Sequence, residues 1–192
     1  MRLLPTLLCL LPLAVQSQTA APVIVIEQTR KIDVAVEAIG GAEGPAATKV
    51  LTEDLNRSGV CRVVPADSAS FVLTGSITPS GLSGRATPKA GGAAVVDKSF
   101  SGDSRRAAHL FADAVVEALT GTPGFASSRI TFASASGAKK NKVKEIYVSD
   151  IDGANARQLT QDKSLGYGPK FSPDGGKIVY SSDKSGYRDT YV

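Results

Sequence analysis

The sequence predicts a two-layer α/β domain, a mixed sheet with two helices, followed by the start of an all-β propeller that is incomplete in this chain. Three observations carry this. Two helix-length segments each show one apolar face, and short β-branched runs lie around them. The last third of the chain nearly repeats itself: Arg129-Ile130-Thr131-Phe132-Ala133-Ser134, then Ile146-Tyr147-Val148, reads like Lys177-Ile178-Val179-Tyr180-Ser181-Ser182, then Thr190-Tyr191-Val192. The offset is about 45 residues, the length of a propeller blade. Such a unit cannot bury its own apolar face and needs stacked neighbours. About one and a half blades are expected here, so the sequence reads as the front part of a longer protein.

Taken in order, residues 1–17 read as a cleaved secretory signal peptide. Arg2 precedes an apolar run, and Val15 and Ser17 sit at the small-residue positions of a cleavage site. The run of about 13 residues is short of the roughly 20 that span a bilayer. The α/β domain is expected over 18–124. Val23-Ile24-Val25-Ile26 and Ile32-Asp33-Val34-Ala35-Val36 have strand length and β-branched content. A helix follows Gly44-Pro45, with Ala47, Val50, Leu51 and Leu55 on one face and Gly59 able to end it. Strands are then expected at 61–64, 71–77, 82–87 and 94–100. A second helix starts at Asp103 or Ser104, carries the stripe Ala107, Leu110, Phe111, Ala114, Val115, Ala118 and Leu119, and stops at Gly121 before Pro123. The propeller segment is expected over 125–192.

Composition narrows the function classes. With 22 Lys and Arg against 18 Asp and Glu, the net charge is +4 and spread along the chain, unlike the concentrated basic face of a nucleic-acid binder. The one cluster, Lys139-Lys140-Asn141-Lys142-Val143-Lys144, lies between two strand-like segments and reads as a solvated hairpin loop. Cys61 is the only cysteine once Cys9 leaves with the signal peptide, so no internal disulfide is expected.

The most specific string is Phe171-Ser172-Pro173-Asp174-Gly175-Gly176-Lys177-Ile178-Val179-Tyr180. Proline presets the first turn position, Asp bonds its own backbone and Gly supplies a left-handed residue, so Ser172, Pro173, Asp174 and Gly175 read as a structural repeat turn between strands. Ser149-Asp150-Ile151-Asp152-Gly153 followed by Arg157-Gln158-Leu159-Thr160 is the matching strand, turn and outer-strand signal. With the leading signal peptide, the two-helix domain and Gly124-Phe125-Ala126-Ser127-Ser128-Arg129-Ile130, this arrangement resembles the TolB family of the Tol-Pal system.

The resemblance implies an N-terminal α/β domain, a six-bladed propeller and no catalysis. It implies a periplasmic adaptor that binds a TolA-like inner-membrane protein through the start of the mature chain and a peptidoglycan-associated lipoprotein through the whole propeller, supporting outer-membrane integrity and cell division. Residues Val23, Ile24, Val25, Ile26 and Glu27 become the expected TolA-type contact, an extended segment able to add to a partner's sheet edge. No cofactor, metal, nucleic acid or small-molecule substrate is expected.

Enzyme motifs fit the sequence less well. Gly40, Gly41 and Gly44 with Asp67 mimic a dinucleotide fingerprint, but the spacing is G-G-x-x-G and no second crossover helix follows. His109, the only histidine, stands with Asp113 and Glu117 at helical spacing on what reads as a solvated face. No G-x-S-x-G string is present. Asp150, Asp152 and Asp174 lie in separate turns without the ligand spacing of a calcium loop and read as turn formers. The rival is a secreted serine peptidase of the prolyl oligopeptidase type, whose catalytic domain would lie downstream of similar propeller repeats.

Overall fold

The structure, a computed structural model, describes residues 31–192. The expected signal peptide and the expected contact segment Val23, Ile24, Val25, Ile26 and Glu27 lie outside the described residues. Strand β1 (Ile32–Val36) leads into helix α1 (Gly44–Arg57), which returns the chain to β2 (Cys61–Val63). A helical crossover brings the strands back side by side in the same direction, and β1 pairs in parallel with β2. β3 (Phe71–Thr78) joins β1 in parallel on its other side. β4 (Gly81–Pro88) and β5 (Val96–Ser101) extend the sheet as antiparallel hairpins, giving the order β2-β1-β3-β4-β5.

Register decides which face the helices cover. Leu73 pairs with Ala86 and Ala86 with Val96, so three apolar residues stand abreast on one side. With a side-chain period of two, Leu82 and Gly84 share that side, while Ser83, Arg85 and Asp97 are exposed on the other. Gly84 is needed there: a Cβ would lie 2.9 Å from the Phe111 ring. Phe111, Leu51, Leu55, Leu73 and Leu82 are fully buried between sheet and helices, each stabilising by about 1.5–3 kcal/mol relative to exposure.

Local chemistry sets the helix ends. Pro45 occupies the first turn of α1, where a missing N–H costs nothing. Helix α2 (Ser104–Thr120) begins at Asp103, whose carboxylate accepts from the Arg106 amide at 2.8 Å, and ends at Gly121 with φ 73°. The face that α2 buries differs from the expected stripe. Ala107, Phe111 and Val115 are buried as expected, but Ala108, His109, Ala112 and Val116 are buried as well and Ala118 is exposed. The helix meets two partners, the sheet and α1, and a helix packed on two sides buries a wider arc than a single stripe.

Beyond α2, the chain forms two three-stranded antiparallel sheets. The first, in order β6-β7-β8, comprises β6 (Arg129–Ser136), β7 (Val143–Asp150) and β8 (Arg157–Gln158). The second, β11-β10-β9, comprises β9 (Gly166–Phe171), β10 (Ile178–Ser182) and β11 (Asp189–Tyr191). The sequence repeat has a structural counterpart. Phe132 pairs with Tyr147 and Tyr180 with Tyr191, and their rings lie 5.6 and 5.7 Å apart in the two sheets. The repeat is therefore offset by one strand from the sheets, β6 and β7 matching β10 and β11. Lys139, Lys140 and Lys142 are exposed in the β6–β7 connection, as a solvated loop requires. The sheets meet closely at Gly166, where a Cβ would stand 2.9 Å from the Lys144 carbonyl and 3.0 Å from Ile146 Cδ1. Among the described residues no helix is long and apolar enough to cross a membrane.

Candidate functional site

Two helices and one turn converge where the α/β domain meets the first small sheet. Asp54 of α1 and His109 of α2 are both 3% exposed. His109 Nδ1 lies 2.5 Å from Asp54 Oδ2, and Arg57 Nη1 donates to Asp54 Oδ1 at 2.9 Å. A carboxylate only accepts, so the pairing places the ring proton on Nδ1. On the far side of the ring, Nε2 has no hydrogen-bond partner among the described residues. The solvated position expected for His109 is thus corrected: α1 packs over that side of α2. The expected trio separates. Asp113 accepts from the amides of Ala126 at 2.6 Å and Ser127 at 2.9 Å, fixing the chain between α2 and β6, whereas Glu117 is exposed.

The turn after β7 comes up against the same part of α2. Asp150 and Asp152 form a turn as expected, but they share one turn and do not lie in separate ones: Ala154 N donates to Asp152 Oδ1 at 3.0 Å, and Asn155 Nδ2 donates to Asp150 Oδ2 at 2.8 Å. They also face the helix. Arg105 Nη2 donates to Asp152, and Arg105 Nε lies 3.6 Å from Asp150 Oδ2. With side chains only 29% and 9% exposed, the Arg105–Asp152 pair is less screened than an open surface pair. A histidine oriented by a carboxylate, two further carboxylates and one arginine thus share the seam. Sequence reasoning missed Asp54 and Arg105. Asp54 had a signal, because it falls seven residues after Ala47 and four after Val50, within the apolar stripe of α1.

The glycines of the dinucleotide-like string have packing roles. Gly40 bridges to Ser76, a Cβ on Gly41 would lie 2.7 Å from the Ile77 carbonyl, and one on Gly44 would lie 1.9 Å from the Ile39 carbonyl. Asp67 is exposed on a short 3-10 turn.

Residues Ser172, Pro173, Asp174 and Gly175 lie between β9 and β10. Gly175 N donates to the Ser172 carbonyl at 2.8 Å, Lys177 N to Ser172 Oγ at 2.9 Å and Gly176 N to Asp174 Oδ1 at 3.1 Å. The Ser172 hydroxyl and then the Gly176 amide hold the Asp174 carboxyl below the usual carboxylate range. Arg129 Nη2 reaches the Gly175 carbonyl at 3.2 Å and lies over the Phe171 ring, tying the turn to the first sheet.

No family model matches the chain. It is 30% identical over 187 aligned positions to the Tol-Pal system protein TolB of Jannaschia sp. (strain CCS1), covering 81% of this chain and 42% of that one. Against the Tol-Pal system protein TolB of Roseobacter denitrificans it is 42% identical over 88 residues, covering 46% of this chain and 20% of the relative. The crystal structure of TolB from Acinetobacter baumannii matches with a TM-score of 0.74 at 22% identity, over 84% of this chain and 46% of that one. The chain is TolB-like. The likeness is partial, since the chain spans 42% or less of these curated TolB relatives. At 22% identity the match to the A. baumannii TolB structure shows a shared fold: a mixed sheet with two helices and further antiparallel sheets.

Proposed function

We propose that this chain is the front part of a non-enzymatic periplasmic adaptor of the Tol-Pal system, exported by a cleaved signal peptide. The joint likeness to TolB in sequence and in fold carries this reading, because the structural match extends over 84% of the chain, more than either part alone. In this reading the sheets β6-β7-β8 and β9-β10-β11 are the first blades of a propeller. The recurring aromatic pairs and the contact of one sheet on the next support that. The partners are a TolA-like inner-membrane protein, engaged through Val23, Ile24, Val25, Ile26 and Glu27, and a peptidoglycan-associated lipoprotein, engaged through the complete propeller. The adaptor links the two and supports outer-membrane integrity and envelope constriction at division.

The test is binding of the full chain to an immobilised TolA-type periplasmic domain, with and without residues 18–26. Loss of binding on deletion, with the thermal transition of the α/β domain retained, is the expected result. Unchanged binding with the fold intact would overturn the assignment of the contact to this segment.

A further inference from the structure

We propose that His109, Asp150 and Asp152 form a binding site for a divalent transition cation of the zinc type, at the seam between α2 and the turn after β7. One ligand atom from each of the three residues lies within 4.8 Å of the other two. His109 is 3% exposed, and its Nε2 is buried with no hydrogen-bond partner among the described residues. A buried polar atom without a partner costs about 1–3 kcal/mol in general, and a bound cation would satisfy it.

The orientation of the ring fits a metal ligand. Asp54 engages Nδ1 at 2.5 Å and is itself held by Arg57. In the neutral ring this leaves Nε2 as the nitrogen with a free lone pair for the ion, which is the carboxylate–histidine–metal arrangement that fixes tautomer and raises ligand basicity. The carboxylates are held by their own turn through Gly153, with φ 87°, and the Ala154 amide. One imidazole nitrogen and two carboxylate oxygens suit zinc and its neighbours rather than calcium or magnesium, which take all-oxygen sets. Three protein ligands leave a fourth position open for water. The adjoining cavity, of about 180 Å³, is lined by Arg105, His109, Ser127, Ser128 and Asp150 among others.

Arg105 is the competitor. It donates to Asp152 and approaches Asp150 at 3.6 Å, while its own Nε is buried without a hydrogen-bond partner among the described residues. One guanidinium between two carboxylates leaves one negative charge over, so a divalent ion is electrostatically favoured at this position. Two ligands about 2.1 Å from one ion stand at most about 4.2 Å apart. Binding would exchange the guanidinium for the ion and hold the turn on α2, fastening the first small sheet to the α/β domain.

The experiment titrates Zn²⁺ into the metal-stripped full chain by calorimetry and follows Co²⁺ binding by visible absorption. One equivalent is expected to bind, with the Co²⁺ spectrum of a four-coordinate nitrogen and oxygen site. His109→Gln is expected to weaken binding by about tenfold or more, and Arg105→Ala to strengthen it. Should His109→Gln unfold, as judged by circular dichroism, the double variant Asp150→Asn with Asp152→Asn, which leaves Asp54 and His109 intact, decides the question by the same loss. Absence of Zn²⁺ binding, or binding unchanged in the folded His109→Gln or double variant, would overturn the site.

Discussion

In the α/β domain, Leu51, Leu55, Leu73, Leu82, Phe111 and Val115 meet in one closed core, and each is at most 1% exposed. In the small-sheet region the fully buried large apolar side chain is Ile146, while Ile130, Leu159, Val179, Tyr187 and Val192 stand exposed. Polar groups take a larger share of the buried side chains there. Glu145, 7% exposed, accepts from Thr160 Oγ1 at 2.5 Å, Asp162 N at 3.1 Å and Lys163 N at 2.8 Å, holding the connection between β8 and β9. A sheet covered by its own helices finds its apolar partner within the domain. A small three-stranded sheet finds only part of it and keeps its shape through bonded turns and contact with the next sheet.

The largest expected effect tests that contrast directly. Phe111→Ala is expected to destabilise the α/β domain by about 3–5 kcal/mol, read as a shift of its urea midpoint. Val179→Ala, on an exposed position of β10, is expected to stay within about 0.5 kcal/mol. Equal shifts for the two variants would mean that the small sheets share the core's cooperativity, and the contrast would fail.

Next in size is Glu145→Ala, which leaves two backbone amides and one hydroxyl without their acceptor. The expected cost is about 1–3 kcal/mol, confined to the small sheets. Amide exchange should accelerate at Asp162 and Lys163 while β1, β3 and β4 keep their protection. Faster exchange spread through the α/β sheet would show that the two regions open together.

These two regions were also legible in the sequence to different degrees. The helix ends could be read because Pro45, Asp103 and Gly121 act on backbone groups within a few residues of themselves. The repeat could be read because Phe132, Tyr147, Tyr180 and Tyr191 recur in order. Strand β9 carries Gly-Tyr-Gly-Pro-Lys-Phe, without an alternating pattern, so only its last residue stood out beside the turn. The seam was the least legible part. Asp54 and His109 are 55 positions apart and Arg105 and Asp152 are 47 apart, and nothing local states that α1 covers one side of α2 or that the β7 turn reaches the helix.

A smaller, chemical readout separates the regions as well. Cys61 is fully buried in the α/β core, and burial pushes its thiol above the ordinary range, with the Ser58 hydroxyl opposing in part. Because the thiolate is the reactive form, alkylation of Cys61 at pH 8, followed on its own peptide by mass spectrometry, should be far slower in the folded chain than in urea. Similar rates in the two conditions would show that the core opens readily around β2.

The smallest effect is expected at the exposed turn between β9 and β10. Asp174 has its carboxyl held low first by the Ser172 hydroxyl and then by the Gly176 amide. A carboxylate whose folded value lies below its unfolded value of about 3.9 contributes stability that is present in full above that value and is lost as pH falls through the folded one. Acidification from pH 5 should therefore leave the turn intact through the ordinary carboxylate range and release the Gly176 and Lys177 amides to faster exchange only below it. Asp174→Asn keeps the turn-forming side chain but removes the titration, so its exchange profile should lose this step. Persistence of the step in Asp174→Asn would assign it to another group, with Asp183, held low mainly by Arg188, as the first to examine.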